Sequence, residues 1–393
     1  MLDSGIAKAV FFMAQALGFP IELHLSKSLK ILQFQRRSSW LTLAQVSTLT
    51  LPSLGLAVLF LRNGGIAVML DYFSERGFSI LDLSSTWIVW MVSTGQALFI
   101  WVSYRKNVAC INEIIYEVDF LLCTFVKKKE SNIFRILHYC VIGQWISICT
   151  CVGVNNFTIH VLCRIQPQCE WTFQLTYSIL FSISLILCLY PFLLIASNLL
   201  IYEVLIGTNR IMDSFNSCLD QENQIVSSDL LRKAQSITQL LSRIETCLGP
   251  VIFTETLCAM ILTIFGIFQA TNGYLALTQP SFGDRELAKL LLGGTFVAVG
   301  EMSSLRYIPF YHVGHGITLK MKQAKYAIEE ILAKRYSQFS PIQHQQFDVV
   351  RENWSRSAAL QPMGLFDLNY STAIAMDGLL ITYIVILIQF KMG

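Results

Sequence analysis

Thr382-Tyr383-Ile384-Val385-Ile386-Leu387-Ile388-Gln389-Phe390 closes the last apolar run of the chain. Taken back to Ser371, the run has the roughly 20 residues that a helix needs to cross a bilayer. It ends in an amide and an aromatic ring, where an apolar helix would normally meet a loop or a charged flank. A Gln at that point lies where a membrane helix meets the far aqueous side. A ring of such residues, one per subunit, would line and close a pore.

The rest of the chain repeats the same signal. Of its 393 residues, 54% are hydrophobic and 14% charged, against roughly 25% charged in soluble domains. The apolar residues are spread along the whole length rather than gathered into one core, which selects a membrane protein. The net charge of +3 implies no nucleic-acid partner. Seven spans follow, at Trp40–Leu61, Ile80–Val102, Leu137–Val154, Phe173–Ser197, Val251–Thr271, Leu290–Tyr311 and Ser371–Phe390. The fourth is overlong, continues toward Ile206 and is expected to kink at Pro191. Ala9–Phe19 reads as a cytosolic or interfacial helix, with a signal peptide as the alternative.

Orientation follows from Lys and Arg. One side collects 22 of them, in the N-terminal segment and in the loops after spans two, four and six. The opposite side carries Arg62, Arg76, Arg164, Arg285, Lys289 and Lys391. The chain therefore reads as an all-α membrane protein of seven transmembrane helices, with its N-terminus cytosolic, its C-terminus extracellular and a cytosolic helical anchor region. This is the reverse of a G-protein-coupled receptor. The divisions are 1–38 (cytosolic N-terminal segment), 39–207 (helices one to four), 208–249 (cytosolic helical extension), 250–313 (helices five and six), 314–370 (cytosolic anchor) and 371–393 (pore-lining helix). The sequon at Asn156 falls outside and is expected to carry a glycan, whereas those at Asn353 and Asn369 fall inside.

Two cytosolic stretches have helical apolar faces. Ser228–Leu248 gathers Leu230, Leu231, Ile237, Leu240, Leu241 and Ile244 on one side, and Ile317–Tyr336 has the same character. Trp354, Leu360, Leu365 and Phe366 add apolar residues before the last span. Their expected use is packing below the membrane.

Ionisable residues inside spans invite a functional reading. Glu255, Glu301, Arg306 and Asp377 qualify; Glu255, in the inner half of its span, reads as structural. The outer halves of spans two to six carry aromatic rings with a few amides, a lining suited to a small organic ligand. The candidate pocket is Trp87, Trp90, Gln144, Tyr177, Phe268, Gln269, Thr295 and Glu301. The bland reading of several of these is an interfacial aromatic belt. His312 and His315 share a helix face but are too few for a metal site. No CxxC pair occurs among the eleven cysteines, so no zinc site or disulfide scaffold is indicated; Cys163 and Cys169 bracket a short outside loop in which they could pair, with free cysteines as the favoured reading. No phosphate loop, zinc-protease motif or nucleophile elbow is present, so neither catalysis nor a cofactor has support.

Gly364-Leu365-Phe366-Asp367, then Gly378, Thr382-Tyr383 and Gln389-Phe390, together with Leu17-Gly18-Phe19-Pro20, resemble the motifs of insect gustatory receptors. The inverted seven-span plan resembles them over the whole chain, and odorant receptors share that plan. The resemblance implies a ligand-gated cation channel in the plasma membrane of chemosensory neurons. It implies homotetramers, or heterotetramers with related receptors, around one pore lined by the last helix. Subunits would associate through the cytosolic anchor, and a small-molecule tastant would enter a pocket in the outer half of each. It assigns Gln389 and Phe390 to the gate, and helical spacing adds Ile386, Thr382 and Gly378 to the Gln389 face. Ile384 stands where sugar receptors often carry an acidic residue, which favours a bitter or plant-compound receptor over a sugar receptor. A fructose-type receptor, an odorant-type channel and, from other classes, a transporter or a G-protein-coupled receptor remain alternatives.

Overall fold

The structure is a computed structural model of the full chain, and it describes residues 21–25, 32–36, 80–125, 170–221, 228–277, 284–335, 339–356 and 359–392. Spans one and three, Ala9–Phe19, Gln144, Asn156, Cys163 and Cys169 lie outside these residues. The described helices are α1 (Ile80–Phe125), α2 (Glu170–Gln221), α3 (Ser228–Cys247), α4 (Gly249–Leu277), α5 (Asp284–Arg335), α6 (Pro341–Arg356) and α7 (Tyr370–Met392). Spans two, four, five, six and seven fall within α1, α2, α4, α5 and α7.

Length explains the architecture. At roughly 1.5 Å per residue, the 46 residues of α1 and the 52 each of α2 and α5 far exceed a hydrocarbon core of roughly 30 Å. Each therefore continues beyond its span as one helix. The divisions at 207/208 and 313/314 fall inside α2 and α5, so membrane and anchor layers are two levels of the same helices. The amphipathic stretch at Ile317–Tyr336 is likewise the far end of α5 and not a separate helix. The chain adapts locally: α1 leaves helical geometry at Asn107 (φ −104°, ψ 15°), α5 accommodates Pro309, and α2 stays helical through Pro191. By composition, Gly249–Thr271 is apolar and long enough to cross a membrane, at a mean hydropathy of 2.1.

The anchor packs by period. Leu230, Leu231, Ile237, Leu240, Leu241 and Ile244 of α3 are all buried, as are Ile317, Met321, Ala324, Ile328 and Ile331 of α5. The alternating steps of four and three along α5 make a stripe of the coiled-coil kind. Val108, Ile111, Ile115 and Val118 of α1, Met212 and Phe215 of α2, and Phe347, Val350 and Trp354 of α6 complete one apolar core. Each such side chain contributes about 1.5–3 kcal/mol on burial. Trp354 satisfies its polar edge by donating from Nε1 to Thr238 Oγ1 at 2.7 Å, and Phe215 meets its ring edge-on at 5.7 Å.

One feature adds to the all-helical expectation. Ile21–Leu25 and Leu32–Arg36 form an antiparallel hairpin, β1 and β2, with Leu23 opposite Phe34 and Glu22 opposite Gln35. The hairpin lies against α1. Its strands alternate apolar and polar residues, a period-two signal that the seven-span reading passed over.

Candidate functional site

The candidate site is α7 together with the strap that delivers the chain into it. Residues 359–369 run from the anchor back to the membrane layer. Pro362–Gly364 forms one turn of 3-10 helix, with Met363 and Gly364 at φ of 56° and 68°. Positive φ explains the glycine at 364. Leu368 N–H donates to the Leu360 carbonyl at 2.8 Å and closes the strap on itself. Asp367 is its hub, accepting from Gln361 Nε2 at 2.8 Å and from Asn369 Nδ2 at 3.3 Å. Asn369 then accepts from the Thr372 N–H at 3.0 Å. A side-chain oxygen on a free first-turn amide is a helix N-cap, so α7 begins where it does because of Asn369.

The strap touches α3, α4 and α5. Gln361 N–H donates to Glu245 Oε1 of α3 at 2.9 Å. Burial holds the Glu245 carboxyl above the usual carboxylate range, and the Gln361 bond offsets part of that rise. Gly249, opening α4, fits tightly against the strap: a Cβ there would sit 3.3 Å from Met363 N, so the strap would have to give by a few tenths of an ångström. Phe366 stacks on Tyr311 of α5 at 6.3 Å and meets Phe253 of α4 at 6.1 Å. Gly314 of α5 is a close approach of the same kind, since a Cβ would lie 2.6 Å from the Leu368 carbonyl oxygen.

α7 itself makes few contacts. Leu380 is 5% exposed, and Ala373 and Met376 pack against the core. The Tyr311 hydroxyl donates to Met376 Sδ at 3.0 Å. Ile374, Leu379, Ile381, Tyr383 and Val385 face outward, with Ile374 at 71% and Ile381 at 63% exposed. Gly378, Thr382, Ile386 and Gln389 are exposed as well. At about 100° per residue these four fall within an arc of about 80°, centred about 150° from the Ala373–Met376–Leu380 seam. The helix thus has a packed face and a nearly opposite open face, and the open one carries the candidate pore residues. Phe390 follows Gln389 on the last turn of α7.

His312 and His315 lie at the root of α7. His312 Nδ1 is hydrogen-bonded to the Tyr370 hydroxyl, and the His315 ring sits 4.5 Å from the Tyr370 ring. They join α5 to the first residue of the last helix. Among the described residues no group of three or more His, Cys, Asp or Glu could hold a metal. Glu255 is buried and accepts from Gln96 Nε2 at 2.8 Å, a bond between α4 and α1. Tyr104 and Ser197 make the matching α1–α2 bond at 3.0 Å.

Of the expected ligand pocket, Phe268 and Gln269 are buried side by side on α4. Consecutive helical residues point about 100° apart, so both can be buried only where α4 is covered over a wide arc. Trp87 and Trp90 lie on α1, Tyr177 on α2, and Thr295 and Glu301 on α5. One cysteine pair lies outside what the sequence reading considered: Cys110 of α1 and Cys247 of α3 form a disulfide across 137 residues of sequence. Nothing in their spacing announces it, because the pairing depends on how α1 and α3 pack.

The candidate site is thus a sparsely packed last helix held by a strap against a bundle of long helices. Residues 353–393, which hold the strap and α7, match the 7tm Chemosensory receptor family. The insect olfactory receptor OR5 of Machilis hrabei, solved alone and in complex with eugenol, is similar over 98% of both chains with a TM-score of 0.64, at 12% and 11% identity. No curated protein matches. The chain has the seven-helix fold of an insect olfactory receptor and carries the C-terminal block of the chemosensory receptor family.

Proposed function

We propose that this protein is a subunit of a ligand-gated, non-selective cation channel of the gustatory type, opened by bitter or plant-derived small molecules at the surface of chemosensory neurons. The observation that supports this most is the two-faced α7. A helix that crosses a membrane with Gly378, Thr382, Ile386 and Gln389 on its open face needs partners on that face, and copies of itself around a pore provide them. Four subunits would then bring four Gln389–Phe390 pairs to the outer mouth. The buried Phe268 ring and Gln269 amide are of the kinds that suit a small organic ligand. The strap gives ligand-driven shifts of α4 and α5 a route to α7 through Phe366, Leu368 and Tyr370.

The test is expression in a cell line, with whole-cell current and calcium recorded against bitter compounds, sugars and eugenol. Agonist-evoked cation current supports the channel, and silence at equal surface expression across the panel counts against it. An odorant-type channel is the second reading, favoured by the likeness to an olfactory receptor. Responses to volatile aromatics without responses to bitter compounds would select it.

A further inference from the structure

We propose that Cys110 and Cys247 form a reversible thiol–disulfide clasp on the cytosolic face, through which the cell's redox state sets the channel's sensitivity to agonist. The proposal rests on the orientation and channel reading given above.

Placement comes first. Cys110 lies eight residues beyond span two, and Cys247 lies four residues before span five. Both are on the side that collects the basic residues. Cytosolic thiols are kept reduced, and a disulfide found there is ordinarily transient or regulatory rather than a permanent staple. The two Cα atoms are 6.6 Å apart, and the contact does not depend on the covalent bond. Arg243, one turn before Cys247, pairs with Glu117 at 2.9 Å and approaches Glu113 at 3.8 Å. Glu113 lies three residues after Cys110, on the same face of α1. Apolar neighbours, among them Ile111, Ile114, Ile244 and Leu248, are buried in the same core. Reduction would therefore leave the thiols close enough to re-form the bond.

Access differs between the partners. Cys247 is only 7% exposed, whereas Cys110 is half-buried. Exchange with glutathione disulfide then runs in a defined order. The Cys110 thiolate attacks one sulfur of glutathione disulfide, forming a mixed disulfide and releasing one glutathione thiolate. The Cys247 thiolate attacks the Cys110 sulfur, forms the protein disulfide and releases the second glutathione. Two electrons pass from the protein dithiol to glutathione disulfide, and the two S–H protons end on the two glutathione thiols. Glutathione reverses both steps.

The consequence for gating follows from what adjoins Cys247. Glu245 holds the strap through Gln361 N–H, and Gly249 abuts Met363. The clasp ties this α3–α4 joint to α1. A cross-link stabilises the arrangement that contains it. Oxidation thus opposes movement of the joint and strap, and more agonist is needed to open the channel.

The experiment uses the full-length channel in inside-out patches, with agonist in the pipette and a glutathione/glutathione-disulfide couple on the cytosolic face. Thiols are mapped in parallel by alkylation and mass spectrometry. In the wild type, the oxidised couple should link the Cys110 and Cys247 peptides and raise the half-maximal agonist concentration about 5-fold or more, at the low end of typical couplings between sites. The reduced couple should restore both. Cys110→Ser and Cys247→Ser should each respond to agonist without any redox shift. Cys123→Ser, at an exposed free thiol on the same helix, should keep the shift. A membrane-impermeant reductant should act only from the cytosolic side. Thiols fully alkylated under both couples, or linked under both, would overturn the clasp. Linkage that follows the couple with no change in agonist sensitivity overturns the gating role. If no agonist evokes current in any variant, the channel reading fails, and the thiol map alone decides the clasp.

Discussion

Gly314 and Gly364 carry the strap for different reasons, and substitution separates them. At Gly364 the backbone is left-handed and the surrounding space is open. Gly364→Ala should therefore cost only about 1 kcal/mol, the strain of placing a Cβ at positive φ. At Gly314 the added methyl meets the Leu368 carbonyl and side chain at 2.6 Å, and backbone cannot yield as a flexible side chain would. Gly314→Ala should lower the melting temperature in detergent more than Gly364→Ala does, and should also reduce agonist-evoked current. Equal melting temperatures for the two variants would count against the close approach. Glu245 gives a test in pH. Its folded carboxyl titrates above the ordinary value of 4.5, mainly because burial disfavours the charge. A raised acid of this kind contributes its stability below the unfolded pKa, and that contribution is lost as pH rises from about 4.5 through the higher folded value. Glu245→Gln keeps an oxygen for Gln361 N–H and removes the charge. It should flatten the fall in melting temperature above pH 4.5 and leave the value at pH 7 equal to or above the wild type. Part of the slope should remain, because burial also raises Glu117, against the opposing pull of Arg243. A variant with the wild-type slope would place the cause elsewhere.

Among the elements, α7 was the most legible in sequence, and its reasons are local. The apolar run gives its start near Ser371 and its length, and a 3.6-residue period puts Gln389, Ile386, Thr382 and Gly378 on one face. The α3 stripe was legible in the same way, because amphipathic period is written within one segment. What stayed hidden depends on partners far away in the chain. The Glu245–Gln361 bond, the Tyr311–Phe366 stack, the His315–Tyr370 contact and the Cys110–Cys247 bond each join residues whose proximity no local pattern encodes. The extent of α1, α2 and α5 was missed because spans were bounded where hydropathy fell, although the helices themselves continue. For gating, the open face predicts a sharp contrast within one turn. Amide rings close a pore by hydrogen-bonding to one another, and aromatic rings do so by excluding water. Phe390→Ala should raise current in the absence of agonist, and Gln389→Ala should change basal current or ion selectivity. By helical period, position 387 falls about 160° from position 389. Leu387→Met, close to volume-conserving, should leave permeation unchanged. If both gate variants keep wild-type basal current, selectivity and agonist response at equal surface expression, the pore closes elsewhere.

At the scale of the whole molecule, the basic residues orient the chain and the exposed face of α7 asks for copies of it. Orientation is tested with epitope tags: the C-terminal tag should label on intact cells and the N-terminal tag only after permeabilisation. Asn156→Gln should remove a glycan, whereas Asn353→Gln should not. Assembly follows from burial. Ile374, Leu379, Ile381, Tyr383, Val385 and Ile386 are all exposed in one subunit. Lipid covers apolar side chains at no cost, but it offers nothing to the Gln389 amide or to a water-filled path. One helix cannot enclose such a path, so in the proposed channel several copies of α7 would meet along the Gly378–Gln389 face. The anchor would supply the remaining contact area below the membrane, where the apolar effect operates in full. The purified protein in detergent should therefore elute at four times the subunit mass by light scattering. Ile237→Ala, which empties a fully buried site at the centre of the α3 stripe, should cost about 2–5 kcal/mol of anchor stability and shift the protein toward smaller species. A monomer that binds agonist and conducts, or an Ile237→Ala protein that loses stability while staying entirely tetrameric, would separate the anchor from assembly.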